Sequence, residues 1–342
     1  MKRMSWIDTA KGITIVLVVI GHVGSSYHSA GLYLTSNLFC FSHDFVYSFH
    51  MPMFMLLSGL LFSYSTVNDK KSAIKQKIFN YGIPYVTFSF VWYIFKMILS
   101  PNTNTQLSVS DILLIPFYPI SFMWYIYALL IMQVMQITIG KKGPVFQSVH
   151  LVISLVLMFI LPYLIDALQG IRFSDLVICD VFKFWFYFLL GVYYGQQIVS
   201  WIEKVDYRVT AGVSIAVLIL ANMWIYRMPS IETVFVRVIV ALIGCVFIIA
   251  ISHVMSNNKM WNYLGRSSLA IYVLQGLAIA GTRTVLTKVY KGSDFNGIVP
   301  FVVCTIMGTV LPLIVFEISK RIGKLDFLFM PGKYIKVKNS RR

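Results

Sequence analysis

A succession of long apolar stretches, separated by short polar segments, constrains this chain more than any other feature. About ten stretches run for roughly 17–25 residues, the length that an α-helix needs to cross the hydrocarbon core of a bilayer. They lie near 12–30, 45–65, 79–99, 120–139, 148–167, 179–200, 209–227, 234–255, 266–287 and 298–320. Because backbone groups in hydrocarbon must be satisfied within the protein, we predict an all-α polytopic membrane protein, a single bundle of about ten transmembrane helices.

Composition and charge exclude other classes of protein. The 342 residues are 58% hydrophobic and 12% charged, whereas soluble domains are about 25% charged. The net charge of +16 would suit nucleic acid, but the basic residues lie in short blocks between apolar stretches and form no single stripe. We therefore expect membrane lipid and no nucleic acid as a partner. The four cysteines have no paired spacing, and no Cys/His cluster has metal-ligand spacing, so we expect no metal cofactor.

The distribution of lysine and arginine predicts the orientation in the membrane. With a cytoplasmic N-terminus, most of the 29 basic residues fall in cytoplasmic segments, including a short basic C-terminal tail at about 321–342. This bias fits an even number of helices with both termini cytoplasmic. The N-terminus imitates a signal peptide, but Asp8, Lys11 and His22 in that region indicate a retained transmembrane helix. No repeat or soluble domain stands out, so we treat 1–342 as one transmembrane domain.

Lys11 and His22 lie on the first helix, eleven residues apart. That spacing is almost three helical turns, so both side chains share one face and are separated by roughly 16 Å along the axis. The predicted orientation places Lys11 at the cytoplasmic edge and His22 in the outer half. An ionisable group at bilayer depth is costly and by default marks a functional site, and imidazole transfers protons near neutral pH. The structural alternatives are a histidine hydrogen-bonded within the bundle and a lysine that snorkels to headgroups or pairs with Asp8.

Three further candidates lie on neighbouring segments. His50 begins the second apolar stretch on the side toward which His22 points, so two histidines could flank one acceptor hydroxyl. The alternative is an interfacial histidine that faces headgroups or water. Lys75 and Lys77 belong to a lysine-rich segment at the predicted cytoplasmic face. Such a segment attracts anionic lipid, and it would equally hold the phosphates of a nucleotide-like cofactor.

Several short segments, taken in order, resemble the integral-membrane acyltransferase family 3, which includes sugar O-acetyltransferases of bacterial surface polysaccharides. They are Asp8 to Gly12 followed by Gly21 and His22, Phe49 to Gly59, the basic residues before Ile83-Pro84-Tyr85, Trp124 to Leu129, and Leu264 to Tyr272. The resemblance covers most of the chain. Each piece is short, and their order and spacing along about ten apolar stretches make the match specific.

The resemblance implies an O-acetyltransferase of the bacterial inner (cytoplasmic) membrane. Its Arg/Lys-x10-His motif falls on Lys11 and His22, which the family treats as essential. The family moves an acyl group, usually acetyl from cytoplasmic acetyl-CoA, to a hydroxyl of a cell-surface carbohydrate such as an exopolysaccharide, capsule or O-antigen unit. We therefore expect His22, Lys11 and His50 as catalytic residues. Lys11, Lys75, Lys77 and Arg266 are the expected ligands of the acetyl-CoA phosphates.

This chain departs from the family pattern at three positions. A lysine stands at position 11 where relatives often have arginine, so a single point charge replaces a bidentate grip on phosphate. Asn80 replaces the second basic residue before the Pro84-Tyr85 pair, and Gln275 stands where many relatives have histidine. A rival function is a transporter or flippase for a glycan or lipid-linked intermediate, with His22 as a proton relay. Against it, no helix pair is broken by Gly or Pro at matching points in two halves.

Overall fold

A computed structural model describes residues 4–29, 43–65, 69–98, 111–140, 142–167, 176–228, 234–289 and 298–334. Over these residues the secondary structure is helical, with no strand. The α-helices are α1 (Ser5–Ser29), α2 (His50–Ser63), α3 (Lys70–Lys77), α4 (Ile83–Ile98), α5 (Asp111–Leu114), α6 (Trp124–Ile139), α7 (Pro144–Ala167), α8 (Val177–Ile202), α9 (Tyr207–Arg227), α10 (Val234–Val254), α11 (Lys259–Arg266), α12 (Ser268–Val289) and α13 (Ile298–Arg321). The prediction of an all-α polytopic protein is confirmed.

Nine helical segments within the described ranges are long and apolar enough to cross a membrane. The predicted stretch at 79–99 differs from the other nine. It begins as a π-helix, Ile78–Gly82, and continues as α4, whose 16 residues span about 24 Å. Pro84 has no N–H to donate to the carbonyl of Asn80, so the regular ladder of α-helical hydrogen bonds is interrupted at this point. The orientation of the termini stays a prediction.

The contacts between residues divide the chain into two compact units, and the first comprises Met1–Leu57 and Tyr194–Arg321. Helix α1 lies at the centre of this unit and packs against α10, α11, α12 and α13. Its packing against α11 is closest at two glycines. A Cβ on Gly12 would collide with the Trp261 carbonyl oxygen, and a Cβ on Gly265 would collide with the backbone of Asp8. Only glycine allows the two helices to approach at this distance.

The second unit comprises Ser58–Tyr193 and Ile322–Arg342. In this unit α6 packs against α3 and the π-helix, and the Lys70 ammonium donates a hydrogen bond of 2.8 Å to the Thr138 carbonyl. The first part of the predicted basic tail is folded here as two short 3-10 helices, Leu325–Leu328 and Pro331–Tyr334. The last residues of that tail, 335–342, lie outside the described ranges.

A buried carboxylate holds these two 3-10 helices together. Asp326 is 2% exposed. Its carboxylate accepts a hydrogen bond of 2.8 Å from the Lys333 ammonium and another from the Tyr334 hydroxyl. The hydrogen bond from Lys333 has the larger effect and that from Tyr334 the smaller, and together they hold the pKa of Asp326 below its ordinary value.

Candidate active site

The C-terminal half of α1 carries the predicted catalytic histidine, and two other segments of the first unit lie beside it. His22 is partly buried, and its imidazole lies close to the side-chain amide of Gln275 on α12. Gln275 is fully buried. His43 and His50 both lie within electrostatic range of His22. Three imidazoles and one amide therefore share one region of the first unit, although they come from distant parts of the sequence.

His50 is a buried side chain, with 1% of its surface exposed. It is therefore not an interfacial histidine that faces headgroups or water. Its Nδ1 lies 2.7 Å from the Val46 carbonyl oxygen. A carbonyl only accepts, so Nδ1 carries the proton and Nε2 of the neutral ring is left as an acceptor. The structure thus brings His50 to the neighbourhood of His22, and the role of His50 in catalysis stays a prediction.

Sequence reasoning missed a hydrogen-bonded group of side chains at the same end of α1. The Ser25 hydroxyl oxygen lies 3.1 Å from Nε2 of His43 and 2.9 Å from the Tyr47 hydroxyl oxygen. Nδ1 of His43 lies 3.2 Å from a carboxylate oxygen of Asp44. The rings of His43 and Tyr47 are stacked with 4.3 Å between centroids. We call Ser25, His43, Asp44 and Tyr47 the Ser25 cluster.

Two glycines of α1 make room for the Ser25 cluster. A Cβ on Gly21 would lie 2.8 Å from Cε2 of Tyr47, and a Cβ on Gly24 would lie 2.9 Å from Cδ2 of His43. Both distances are shorter than the 3.4 Å at which ordinary van der Waals contact begins. A sequence signal for this packing does exist. Gly21, Gly24 and Ser25 are spaced to share one helical face, and helical spacing also relates positions 43, 47 and 50.

The N-terminal half of α1 carries the predicted cofactor residues of the first unit. Lys11 is partly buried and lies one turn beyond Asp8, whose carboxylate faces Nε of Arg266 at 3.8 Å. The close approach of Gly265 to Asp8 brings the end of α11 to this part of α1. Two cationic side chains predicted to bind phosphate, Lys11 and Arg266, therefore lie at one end of α1. His22 lies roughly 16 Å farther along its axis.

The other two predicted cofactor residues, Lys75 and Lys77, belong to the second unit. Both lie on α3, which begins after Asp69 caps it through the backbone N–H groups of Lys71 and Ser72. Lys75 is exposed and Lys77 is partly buried, with its ammonium 5.7 Å from the centre of the Phe62 ring. This burial lowers the pKa of Lys77.

The comparison with protein families decides the class of this chain. The model of one family, described as an acyltransferase domain (Acyl_transf_3), matches residues 4–317. The chain belongs to this acyltransferase family. The match runs from the start of α1 almost to the end of α13, and it confirms the resemblance drawn from the short sequence segments. No curated protein and no solved structure matches the acyltransferase.

The side chains of this region can transfer protons and form hydrogen bonds. Neutral imidazoles accept protons near pH 7, and the Ser25 hydroxyl, in contact with one of them, is a potential nucleophile. Among the residues that the structure describes, no three His, Cys, Asp or Glu side chains are grouped so as to hold a metal ion. The nine long apolar helices among the described residues, together with the family, identify the acyltransferase as a multi-pass membrane protein.

Proposed function

We propose that this acyltransferase moves an acetyl group from cytoplasmic acetyl-CoA to a hydroxyl of a cell-surface carbohydrate, such as an exopolysaccharide, capsule or O-antigen unit. It would act in the bacterial cytoplasmic membrane with both termini on the cytoplasmic side. One observation carries the proposal. Lys11 of α1 and Arg266 of the adjoining α11 lie near one end of α1, and His22 lies roughly 16 Å farther along α1 on the same face as Lys11.

The cationic end suits the charged half of acetyl-CoA. Lys11 and Arg266 lie there together, and the Arg266 side chain is 51% exposed, so a soluble anion can reach it. Lysine binds phosphate as a point charge, whereas arginine offers a planar fork of N–H donors. Lys75 and Lys77 are the proposed further ligands. The long, thin pantetheine arm would then run along α1 and carry the thioester to His22.

The imidazole end suits the transfer step. In the proposal, His22 accepts the proton of the acceptor hydroxyl while the hydroxyl oxygen attacks the acyl carbonyl, a role that supplies about 10²–10⁴ in rate. The buried amide of Gln275 lies beside the His22 ring. His50 lies beside this pair, with Nδ1 protonated toward Val46, and its Nε2 would accept a hydrogen bond from the acceptor.

The proposal is tested with the purified acyltransferase in lipid nanodiscs, radiolabelled acetyl-CoA and a glycan fraction from the source cell envelope. The measured quantity is label transferred to the glycan. We expect His22→Ala to reduce the rate at least about a hundredfold. The matched control is His28→Ala, because His28 is an exposed histidine on the same helix. Full activity of the His22→Ala variant, or equal losses in the two variants, would contradict the proposed role.

A further inference from the structure

The Ser25 cluster has the connectivity of an activated nucleophile. The Ser25 hydroxyl contacts one nitrogen of His43, and the other nitrogen contacts the Asp44 carboxylate. Both distances, 3.1 Å and 3.2 Å, are within hydrogen-bond range. A hydroxyl in contact with an imidazole that a carboxylate orients is the arrangement by which serine becomes nucleophilic near neutral pH.

One consistent set of proton positions links all four side chains of the cluster. The carboxylate of Asp44 only accepts, so Nδ1 of His43 carries the ring proton and donates it. Nε2 of the neutral ring is then the acceptor for the Ser25 hydroxyl. The Tyr47 hydroxyl can in turn donate to the Ser25 oxygen, 2.9 Å away. In this arrangement the Ser25 proton points at the base that would remove it.

Ser25 also lies close to the predicted transfer site. It follows His22 by three residues, so the two side chains are neighbours on one face of α1. Ser25 and His43 are both partly exposed, so a bound substrate can reach them. The glycines at 21 and 24 keep the rings of Tyr47 and His43 against the helix at this point.

We propose that Ser25 is a covalent acyl carrier in the transfer reaction, with His43 as its base and Asp44 as a positioning residue. This inference rests on the proposed function, because it takes an acyl thioester as the donor. It divides the reaction into two steps. The acyl group first moves to Ser25 and then to the acceptor hydroxyl.

The first step forms an ester and releases a thiol. The Ser25 oxygen attacks the thioester carbonyl, its proton moves to Nε2 of His43, and the carbon–sulfur bond breaks. The proton on His43 then passes to the departing thiolate. In the second step His22 takes the proton of the acceptor hydroxyl, whose oxygen attacks the ester carbonyl. The bond between the acyl carbon and the Ser25 oxygen breaks, and the Ser25 oxygen takes a proton from the His22 imidazolium. No oxidant or further reactant is consumed.

The experiment traps the ester in the absence of acceptor. The acyltransferase in nanodiscs is incubated with radiolabelled acetyl-CoA alone, and the labelled peptide is located by mass spectrometry. We expect one acetyl group on Ser25 that neutral hydroxylamine removes. Ser25→Ala should carry no label and lose at least about a hundredfold in transfer rate. Ser25→Cys should form a thioester at the same position. That result would show that labelling requires a nucleophilic side chain at position 25 and not a serine in particular.

Matched variants separate carrier, base and acceptor site. Ser48→Ala is the control, because the Ser48 hydroxyl donates only within its own turn, to the Phe45 carbonyl, and it should label normally. His43→Ala should label about 10²–10⁴ times more slowly. His22→Ala should accumulate label on Ser25 and release little product. Asp44→Asn should move the pH dependence of labelling, an effect that a merely structural role would not produce.

The failures of the two proposals are distinguishable. If the wild-type protein transfers acetyl to glycan while Ser25→Ala keeps its rate, or if the label lies on His22, the carrier role is wrong and the proposed function stands. If the wild-type protein transfers no acetyl from acetyl-CoA to the glycan, the proposed function itself is overturned. Monodisperse gel filtration of each variant shows that a lost activity does not reflect a lost fold.

Discussion

Gly24→Ala should impair transfer while leaving the fold intact, because the added methyl group meets one ring of the Ser25 cluster. The new Cβ would lie 2.9 Å from Cδ2 of His43, so the ring must retreat by at least about 0.5 Å to reach ordinary contact at 3.4 Å. Cδ2 is bonded to Nε2, and the same displacement therefore lengthens the 3.1 Å contact between Nε2 and Ser25. A length of about 3.6 Å is no longer a hydrogen bond.

The size of the expected effect follows from this displacement. Misplacing a reacting group by about 1 Å costs on the order of 10² in rate, so about 0.5 Å should lower kcat roughly tenfold. Stability should change little, because alanine in a helix is favoured over glycine by roughly 0.5–1 kcal/mol, which offsets part of the strain. The assay is the steady-state rate of label transfer with saturating acceptor, together with the thermal unfolding temperature of each variant.

The matched control is Gly281→Ala, a helical glycine on α12 of the same unit. A Cβ at Gly281 would meet nothing within 4 Å, so kcat should stay at the wild-type value. A wild-type kcat in Gly24→Ala would refute the reasoning, as would an equal loss in Gly281→Ala. A large fall in the unfolding temperature of Gly24→Ala alone would also contradict it, since the strain would then act on the fold.

Three further predictions concern other parts of the chain. Lys11→Ala should raise the KM for acetyl-CoA and Lys11→Arg should preserve it, because the proposed role is a phosphate contact; a change confined to the acceptor KM would count against this role. Gly265→Ala should lower the unfolding free energy by about 1–3 kcal/mol or more, since its Cβ meets the backbone of Asp8 and not a side chain that can rotate away; an unchanged thermal transition would rule this out. Asp326→Asn should remove an acid-dependent part of the stability. Lys333 holds the pKa of Asp326 low in the folded protein. The stability that Asp326 contributes is therefore complete above its unfolded-state pKa and is lost as pH falls through its lower folded-state pKa. Thermal melts between pH 6 and pH 3 should therefore converge for the wild-type and variant proteins in acid, and a constant difference would oppose the assignment.

The candidate site was partly predictable from local spacing. Lys11 and His22 share a helical face whatever the rest of the protein does, since eleven residues are almost three turns. Local spacing did not decide whether His50 lies beside His22 or at the membrane interface, because an interfacial histidine has the same local sequence. The burial of His50 is a property of the packed structure, which local spacing does not report.

The Ser25 cluster shows why spacing was insufficient. Ser25 and His43 come from α1 and from the segment before α2, and no periodicity links their side chains. Gln275, a departure from the family pattern, lies close to His22 because α12 packs against α1. The π-helical form of Ile78–Gly82 was not predicted either, since hydropathy reports how apolar a stretch is and not which backbone hydrogen bonds it can form.

The sequence by itself determined the class of protein, its construction from long apolar helices, and the shared face of Lys11 and His22. These properties depend on hydropathy and on the helical repeat, which each segment carries independently of the others. Only the tertiary structure decided which polar side chains meet at the two ends of α1. That outcome depends on close approaches such as Gly24 to His43 and Gly265 to Asp8. Such contacts join residues from different helices, and their geometry is set by packing between segments, which no single stretch of sequence encodes.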